Sequence, residues 1–123
     1  MALDRIATSG AQAHLRAAEN AAHNISQLNV EQPVLLRTRF RSEAPAPAGP
    51  GGVRAETEIA APPRRPAGGP VLSPEIRESF VRDDVDLVQE LTDALIARRG
   101  FQANLAAQRA SRSFLEATLN LAA

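Results

Sequence analysis

The chain contains no cysteine, no tryptophan and no tyrosine. Without cysteine it can form neither a disulfide nor a thiolate metal site, and it offers no cysteine nucleophile. Aromatic side chains normally supply much of the buried area of a small core, and here there are only four phenylalanines. We therefore expect an isolated monomer of 123 residues to be marginally stable and to obtain further burial from partner helices.

Two further absences concern charge and apolar runs. Fourteen acidic residues balance fourteen basic ones, all arginine, so the charge does not favour nucleic acid or an anionic membrane as a partner. No apolar run is long enough to cross a bilayer. Asp4 and Arg5 interrupt the start of the chain and no apolar segment follows them, so we expect no cleavable signal peptide.

Proline and glycine divide the chain into three regions. Eight of the nine prolines and five of the seven glycines lie between Pro45 and Pro74. We predict one structural unit with an N-terminal helix in residues 1–30, a Pro/Gly-rich middle at 31–82 and a long C-terminal helix at 83–123. The predicted class is mainly α, with the terminal helices packed as an antiparallel coiled-coil-like pair and a short β-hairpin between them.

The first predicted helix, at 2–28, has a face of mostly small residues. Its apolar and small residues recur at gaps of three and four, at Leu3, Ile6, Gly10, Ala13, Ala17, Ala21, Ile25 and Leu28. Small side chains allow a second helix to approach closely. Asn24, Gln27 and Asn29 lie near the predicted helix end, where asparagine tolerates the left-handed conformation of a C-cap, and Pro33 blocks continuation.

The middle contains two stretches of period-two alternation, which is typical of half-exposed strands. The first, at 34–41, places apolar side chains on one face and three arginines on the other, and residues 53–60 alternate again. We expect these strands to pair as a hairpin around a loop at 43–52. A second Pro/Gly-rich stretch, at 61–74, is predicted to be loop.

The second predicted helix begins near Asp83 or Asp84, whose carboxylates accept hydrogen bonds from first-turn N–H groups. Its roughly 37 residues span about 55 Å, so we expect the excess over the first helix to be exposed or covered by another subunit. A seam in steps of four and three runs through Leu87, Leu91, Ala94, Arg98, Phe101, Leu105, Gln108, Arg112, Leu115, Leu119 and Ala122. Arg98 and Arg112 fit such a seam where a neighbour supplies a carboxylate, or where they snorkel at its edge.

No catalytic or metal-binding constellation is apparent. His14 and His23 are nine residues apart, which places them on opposite sides of a helix, so they cannot share one metal ion. Asp83, Asp84 and Asp86 lack the spacing of an EF-hand loop, and we assign them to helix capping. The glycine-rich runs are not followed by Lys-Ser/Thr, so they are not phosphate loops. We predict a non-enzymatic protein without metal, cofactor or small-molecule substrate.

Two short motifs lie in the predicted helices. Asn24, Ile25 and Asn29 match an Asn-rich pattern, N-I-A-N-x-N-T, near the end of the first helix. Residues of the second helix match the pattern N-V-x-x-V-x-E-M and then A-x-R-x-[YF]-x-x-N, at Val85, Val88, Glu90, Leu91, Ala97, Arg99, Phe101 and Asn104, with Leu119 near the end. Together these motifs resemble the bacterial flagellar basal-body rod proteins, most closely the short proximal-rod members.

The resemblance implies a structural subunit that assembles through its terminal helices into a torque-transmitting tube in the periplasm-spanning basal body. It implies self-association, contacts with other rod subunits and basal-body proteins, and export through the flagellar type III apparatus without a cleaved signal. The matched residues and Leu105 would serve assembly. Asn24, Asn29 and Asn104 would form helix-end and inter-helix hydrogen bonds, although ordinary capping explains each of them equally well.

A second hypothesis is a non-enzymatic coiled-coil interaction protein, such as an export chaperone or another secretion-apparatus subunit. A chaperone is expected to form stable soluble dimers and to lack the terminal motifs. The motifs therefore favour the rod subunit.

Overall fold

The computed structural model describes residues 2–30, 32–45, 47, 49, 51–60 and 87–123. They form α1 (Ala2–Ser26), β1 (Leu36–Glu43), β2 (Gly52–Ile59) and α2 (Leu87–Ala122). The two helices pack along each other, and the hairpin of β1 and β2 lies against α1. The predicted class of two packed terminal helices around a short hairpin is confirmed. The predicted helix start near Asp83 and the predicted loop at 61–74 fall outside the described residues.

The two helices run antiparallel. Asn24, near the end of α1, donates a hydrogen bond to Glu90 near the start of α2, whereas Asp4 lies beside Arg112. This register leaves residues 115–122 of α2 beyond the start of α1, a projection of about two turns. The predicted excess length of the second helix is therefore present and exposed.

The buried face of α1 consists of small and amide side chains. Its buried residues are Ala7, Gly10, Ala11, Ala13, Asn20, Ala21 and Asn24. The small-residue face is confirmed at Gly10, Ala13 and Ala21. It is wrong at Leu3 and Ile6, which are exposed, because the contact follows the alanines, which let the backbones approach.

Glycine is needed at two close contacts between the helices. A Cβ atom at Gly10 would collide with the side chain of Asn104, and one at Gly100 would collide with the ring of His14. Each helix thus supplies a glycine where the other places a polar side chain. The polar side chain occupies the space that a methyl group would need.

The face of α2 that meets α1 differs from the predicted seam. Leu91, Arg98 and Leu119 are exposed. The residues that are buried or half-buried are Glu90, Ala94, Ala97, Gly100, Phe101, Asn104, Leu105, Gln108, Ser111 and Leu115. The predicted seam agrees with this face at Ala94, Phe101, Leu105, Gln108 and Leu115, and the face also includes small and polar residues that the prediction left out. Arg112 does not require a carboxylate from a neighbouring subunit, because Asp4 Oδ1 lies 3.9 Å from its Nε.

The first helix ends differently from the prediction. Gln27 N donates to Asn24 O at 3.0 Å and Leu28 N donates to Ile25 O at 3.2 Å, which tightens the last turn toward a 3₁₀ geometry. No non-glycine residue in the described ranges has a positive φ. The predicted left-handed asparagine C-cap is therefore wrong. Asn24 lies inside α1, and its side chain bonds to other elements.

The predicted hairpin is confirmed, although both strands begin and end one or two residues away from the predicted limits. Its register runs from Leu36 opposite Ile59 to Glu43 opposite Gly52. The turn depends on Gly51, whose φ is +76°, a conformation that favours glycine. The outward face carries diagonal ion pairs, Arg39–Glu58 at 3.3 Å and Arg41–Glu56 at 3.1 Å.

Candidate assembly surface

The side chain of Asn24 joins three elements. Its Nδ2 donates to Leu36 O of β1 at 2.8 Å and to Glu90 Oε1 of α2 at 2.9 Å. Its Oδ1 accepts a hydrogen bond from Leu36 N at 2.7 Å. The amide therefore bonds to Leu36 as a neighbouring strand would, and it also fixes a carboxylate of the long helix. Since Asn24 is only 3% exposed, these bonds are shielded from water.

Asn20 repeats this arrangement one turn earlier in α1. Its Nδ2 donates to Thr38 Oγ1 at 2.8 Å and to Thr57 Oγ1 at 3.1 Å. The two threonines face each other in the hairpin register, so one amide reaches both strands. Sequence reasoning missed Asn20. The available signal was the spacing of Asn20 and Asn24, which places two amides on one helical face.

Both histidines contact other residues of the same chain. The ring of His14 packs on Phe40, with centroids 5.3 Å apart and planes inclined by 48°. His23 Nε2 lies 3.0 Å from Val34 O. Among the described residues, no group of three side chains could hold a metal ion.

Polar side chains also connect the far ends of the helices. Gln108 Nε2 donates to Thr8 Oγ1 at 3.2 Å. Asn104 Nδ2 donates to Gly100 O of its own helix at 2.8 Å, and within the described part of the chain it forms no hydrogen bond to α1. Its contact with α1 is steric, against Gly10.

The residues predicted to serve assembly fall into two groups. The structure buries or half-buries Asn24, Ile25, Glu90, Ala97, Phe101, Asn104 and Leu105. It exposes Asn29, Val88, Leu91, Arg99 and Leu119. Val85 lies outside the described ranges. The first group lies mostly in contacts within the chain, and the second group is accessible to a partner.

An apolar surface covers the projecting end of α2. A shallow groove of about 590 Å³ is lined by Leu3, Ala107, Ala110, Ser111, Phe114 and Leu115. Phe114, Leu119 and Leu121 are 71%, 69% and 89% exposed. Exposed apolar patches, unlike single scattered side chains, mark interaction sites in soluble proteins. We call this surface, with its groove, Phe114, Leu119 and Leu121, the projecting apolar end.

No known protein-family model matches this chain, and no curated protein matches it. None of the helices in the described ranges is both long and apolar enough to cross a membrane.

Proposed function

We propose that the chain is a non-enzymatic structural subunit of the bacterial flagellar basal-body rod, which assembles with copies of itself and with other rod subunits through its terminal helices. The observation that carries the proposal is the projection of α2 two turns beyond α1, with apolar residues exposed along it. Because α1 begins at Ala2, it does not extend along residues 115–122 of α2. A neighbouring subunit can cover it.

The proposed rod requires an open assembly. The projecting apolar end of one subunit would pack against a different surface on the next subunit, which is a heterologous contact. A repeated heterologous contact that does not close on itself generates a helical assembly. Exposed apolar residues near the other end of α2, Val88 and Leu91, provide a second surface on the same helix.

The motif resemblance supports the remaining parts of the proposal. They are location in the periplasm-spanning rod, contacts with basal-body proteins, torque transmission and export through the flagellar type III apparatus without a cleaved signal. The small core agrees with a subunit that gains stability on assembly, since alanines dominate its buried side chains.

Gene deletion tests the proposal. Loss of the gene should abolish swimming and the secretion of filament protein, and the intact gene should restore both. A gene carrying Leu119→Asp should fail to restore them, because a carboxylate on the projecting apolar end must be buried without a partner when the neighbour docks. Asn120→Asp is the matched control, because it adds the same charge to the same turn at an exposed polar position.

Protein stability is controlled in the same experiment. Both substituted positions are exposed in the single chain, so the two purified variants should show the same helical content by circular dichroism. Normal swimming and normal filament secretion by the deletion strain would contradict the rod proposal. A stable soluble dimer in that case would favour the alternative function, an interaction protein such as an export chaperone.

A further inference from the structure

A groove of about 560 Å³ runs between β1 and α2, with α1 as its floor. Thr38 and Phe40 line it from β1, and Asp93 and Ile96 line it from α2. No element of the described chain fills the space, because the hairpin packs on α1 and not on α2. As far as the described residues show, the groove is therefore open along the edge of β1 that faces away from β2.

The hydrogen-bond pattern shows which backbone groups of β1 face the groove. Ala60 N donates to Leu35 O at 2.8 Å, in register with the strand pairing. In an antiparallel pair the bonding alternates, so the odd positions of β1 bond to β2 and the even positions direct their N–H and C=O groups outward. Among the described residues, the outward groups of Leu36 are bonded by Asn24, whereas no backbone partner is present for those of Thr38 and Phe40.

We propose that the groove receives an extended segment of a partner polypeptide as a third strand on β1. Unpaired strand edges bind extended peptides through main-chain hydrogen bonds, and pockets for alternate side chains give specificity. The wall formed by α2 limits the edge to a single added strand, and Asn24 ends the pairing at Leu36. This proposal stands independently of the rod assignment.

The surroundings of the groove define the chemistry of the segment. Phe40 and Ile96 are 47% and 59% exposed, so an inward side chain of the segment beside them is apolar, whereas one beside Asp93 is polar. On the outward face, Arg39 and Arg41 have carboxylate partners in β2. Arg37 forms no ion pair within the described residues, and it borders the groove. An acidic side chain on the outward face of the segment complements it.

Backbone methylation tests the pairing. The probe is a labelled seven-residue peptide of alternating valine and threonine with one glutamate, titrated with the full chain. Two further peptides carry N-methyl groups on alternate residues, one at the odd positions and one at the even positions. One of these should bind at least about tenfold more weakly than the parent, and the other should bind like it, since only one set of N–H groups faces β1. Equal affinities of the two methylated peptides, or no binding of the unmethylated peptide at millimolar concentration, would overturn the proposal.

Two protein variants isolate the edge itself. Thr38→Pro removes the outward N–H and the hydroxyl, whereas Thr38→Val removes only the hydroxyl. We expect the proline variant to bind about tenfold more weakly than the valine variant, and equal affinities would contradict the edge pairing. The chain alone could instead form a concentration-dependent dimer that Thr38→Pro dissociates. That result would assign the groove to a second copy of the chain and overturn the partner proposed here.

Arg37→Gln provides a test that leaves the backbone intact, at an exposed position. The variant should bind the glutamate peptide more weakly than the parent chain does, by roughly threefold for an exposed ion pair. It should bind a peptide with glutamine in place of glutamate with unchanged affinity. Equal loss for the two peptides would remove Arg37 from the site.

Discussion

Asn20 and Asn24 are the buried polar residues of the described chain, at 5% and 3% exposure. The side-chain amides of both form hydrogen bonds to the hairpin. A buried polar group that loses its partner costs about 1–3 kcal/mol. Removing one amide leaves each of its partner groups without a hydrogen bond. At the residue scale, the position of the hairpin on α1 thus depends strongly on two side chains.

We expect Asn24→Ala to lower the free energy of unfolding by about 3 kcal/mol, because Leu36 N, Leu36 O and Glu90 each lose a bond. Urea titration followed by circular dichroism measures the change, with trimethylamine N-oxide present to strengthen burial. Asn29→Ala is the control. Asn29 is exposed, so its removal should change the free energy of unfolding by no more than about 0.5 kcal/mol. Equal losses of stability in the two variants would contradict the role of Asn24 in joining α1, β1 and α2.

The contact between Gly100 and His14 predicts that the effect of Gly100→Ala on stability changes sign when the His14 ring is removed. In the parent chain, Gly100→Ala should destabilise by about 1–3 kcal/mol, because the new Cβ meets the imidazole ring. In a His14→Ala background the clash is absent, and the same substitution should stabilise by up to about 1 kcal/mol through helix propensity. A double-mutant cycle measures the difference, from urea titrations with trimethylamine N-oxide present as for Asn24. A destabilisation of the same size in both backgrounds would show that the ring is not the cause.

At the element scale, each helix and strand was predictable from periodicity, but the contacts between them were not. Alternation in the middle region predicted both strands, and the small-residue stripe predicted close helix packing. Periodicity does not specify rotation about the helix axis, so Leu91 lies outside the interface between the helices although it belongs to the predicted seam. The roles of Asn20 and Asn24 depend on acceptors that lie 12 or more residues away in the chain, and no local pattern encodes those.

The hairpin turn offers a prediction with an internal control. Gly51 has a positive φ, and a Cβ there would lie 2.7 Å from Glu43 O. Gly51→Ala should therefore lower the free energy of unfolding by about 1–2 kcal/mol. Gly49→Ala should change it by no more than about 0.5 kcal/mol, since a Cβ at Gly49 meets nothing within 4 Å. Amide hydrogen exchange in β1 and β2 reports the difference, and matching exchange in the two variants would contradict it.

At the scale of the whole molecule, the buried apolar residues are Ala7, Ala11, Ala13, Ala21 and Ala97, and no large side chain of the described ranges is fully buried. Each alanine removes little apolar area from water. The large apolar residues lie at the surface, many of them on α2. The shortage of aromatic residues in the sequence predicts a small buried area, but not that the large apolar residues lie at the surface.

We therefore expect the purified chain at low micromolar concentration to show modest helicity and little cooperative melting. Differential scanning calorimetry and circular dichroism measure both properties. Raising the concentration should increase helicity if subunits cover the projecting apolar end. A sharp two-state melt of a monomer would contradict this prediction.

The antiparallel pairing of the two chain ends has a consequence for the order of events in the cell. Thr8 and Gln108 are 100 residues apart, and the ribosome adds about 5–20 residues per second. The first helix must therefore wait roughly 5 to 20 seconds before its partner has even been synthesised. During that interval its alanine face is unprotected, and it can first meet its own second helix only after residues near Gln108 have been synthesised. Any factor that binds the nascent amino terminus thus acts without competition from the native fold.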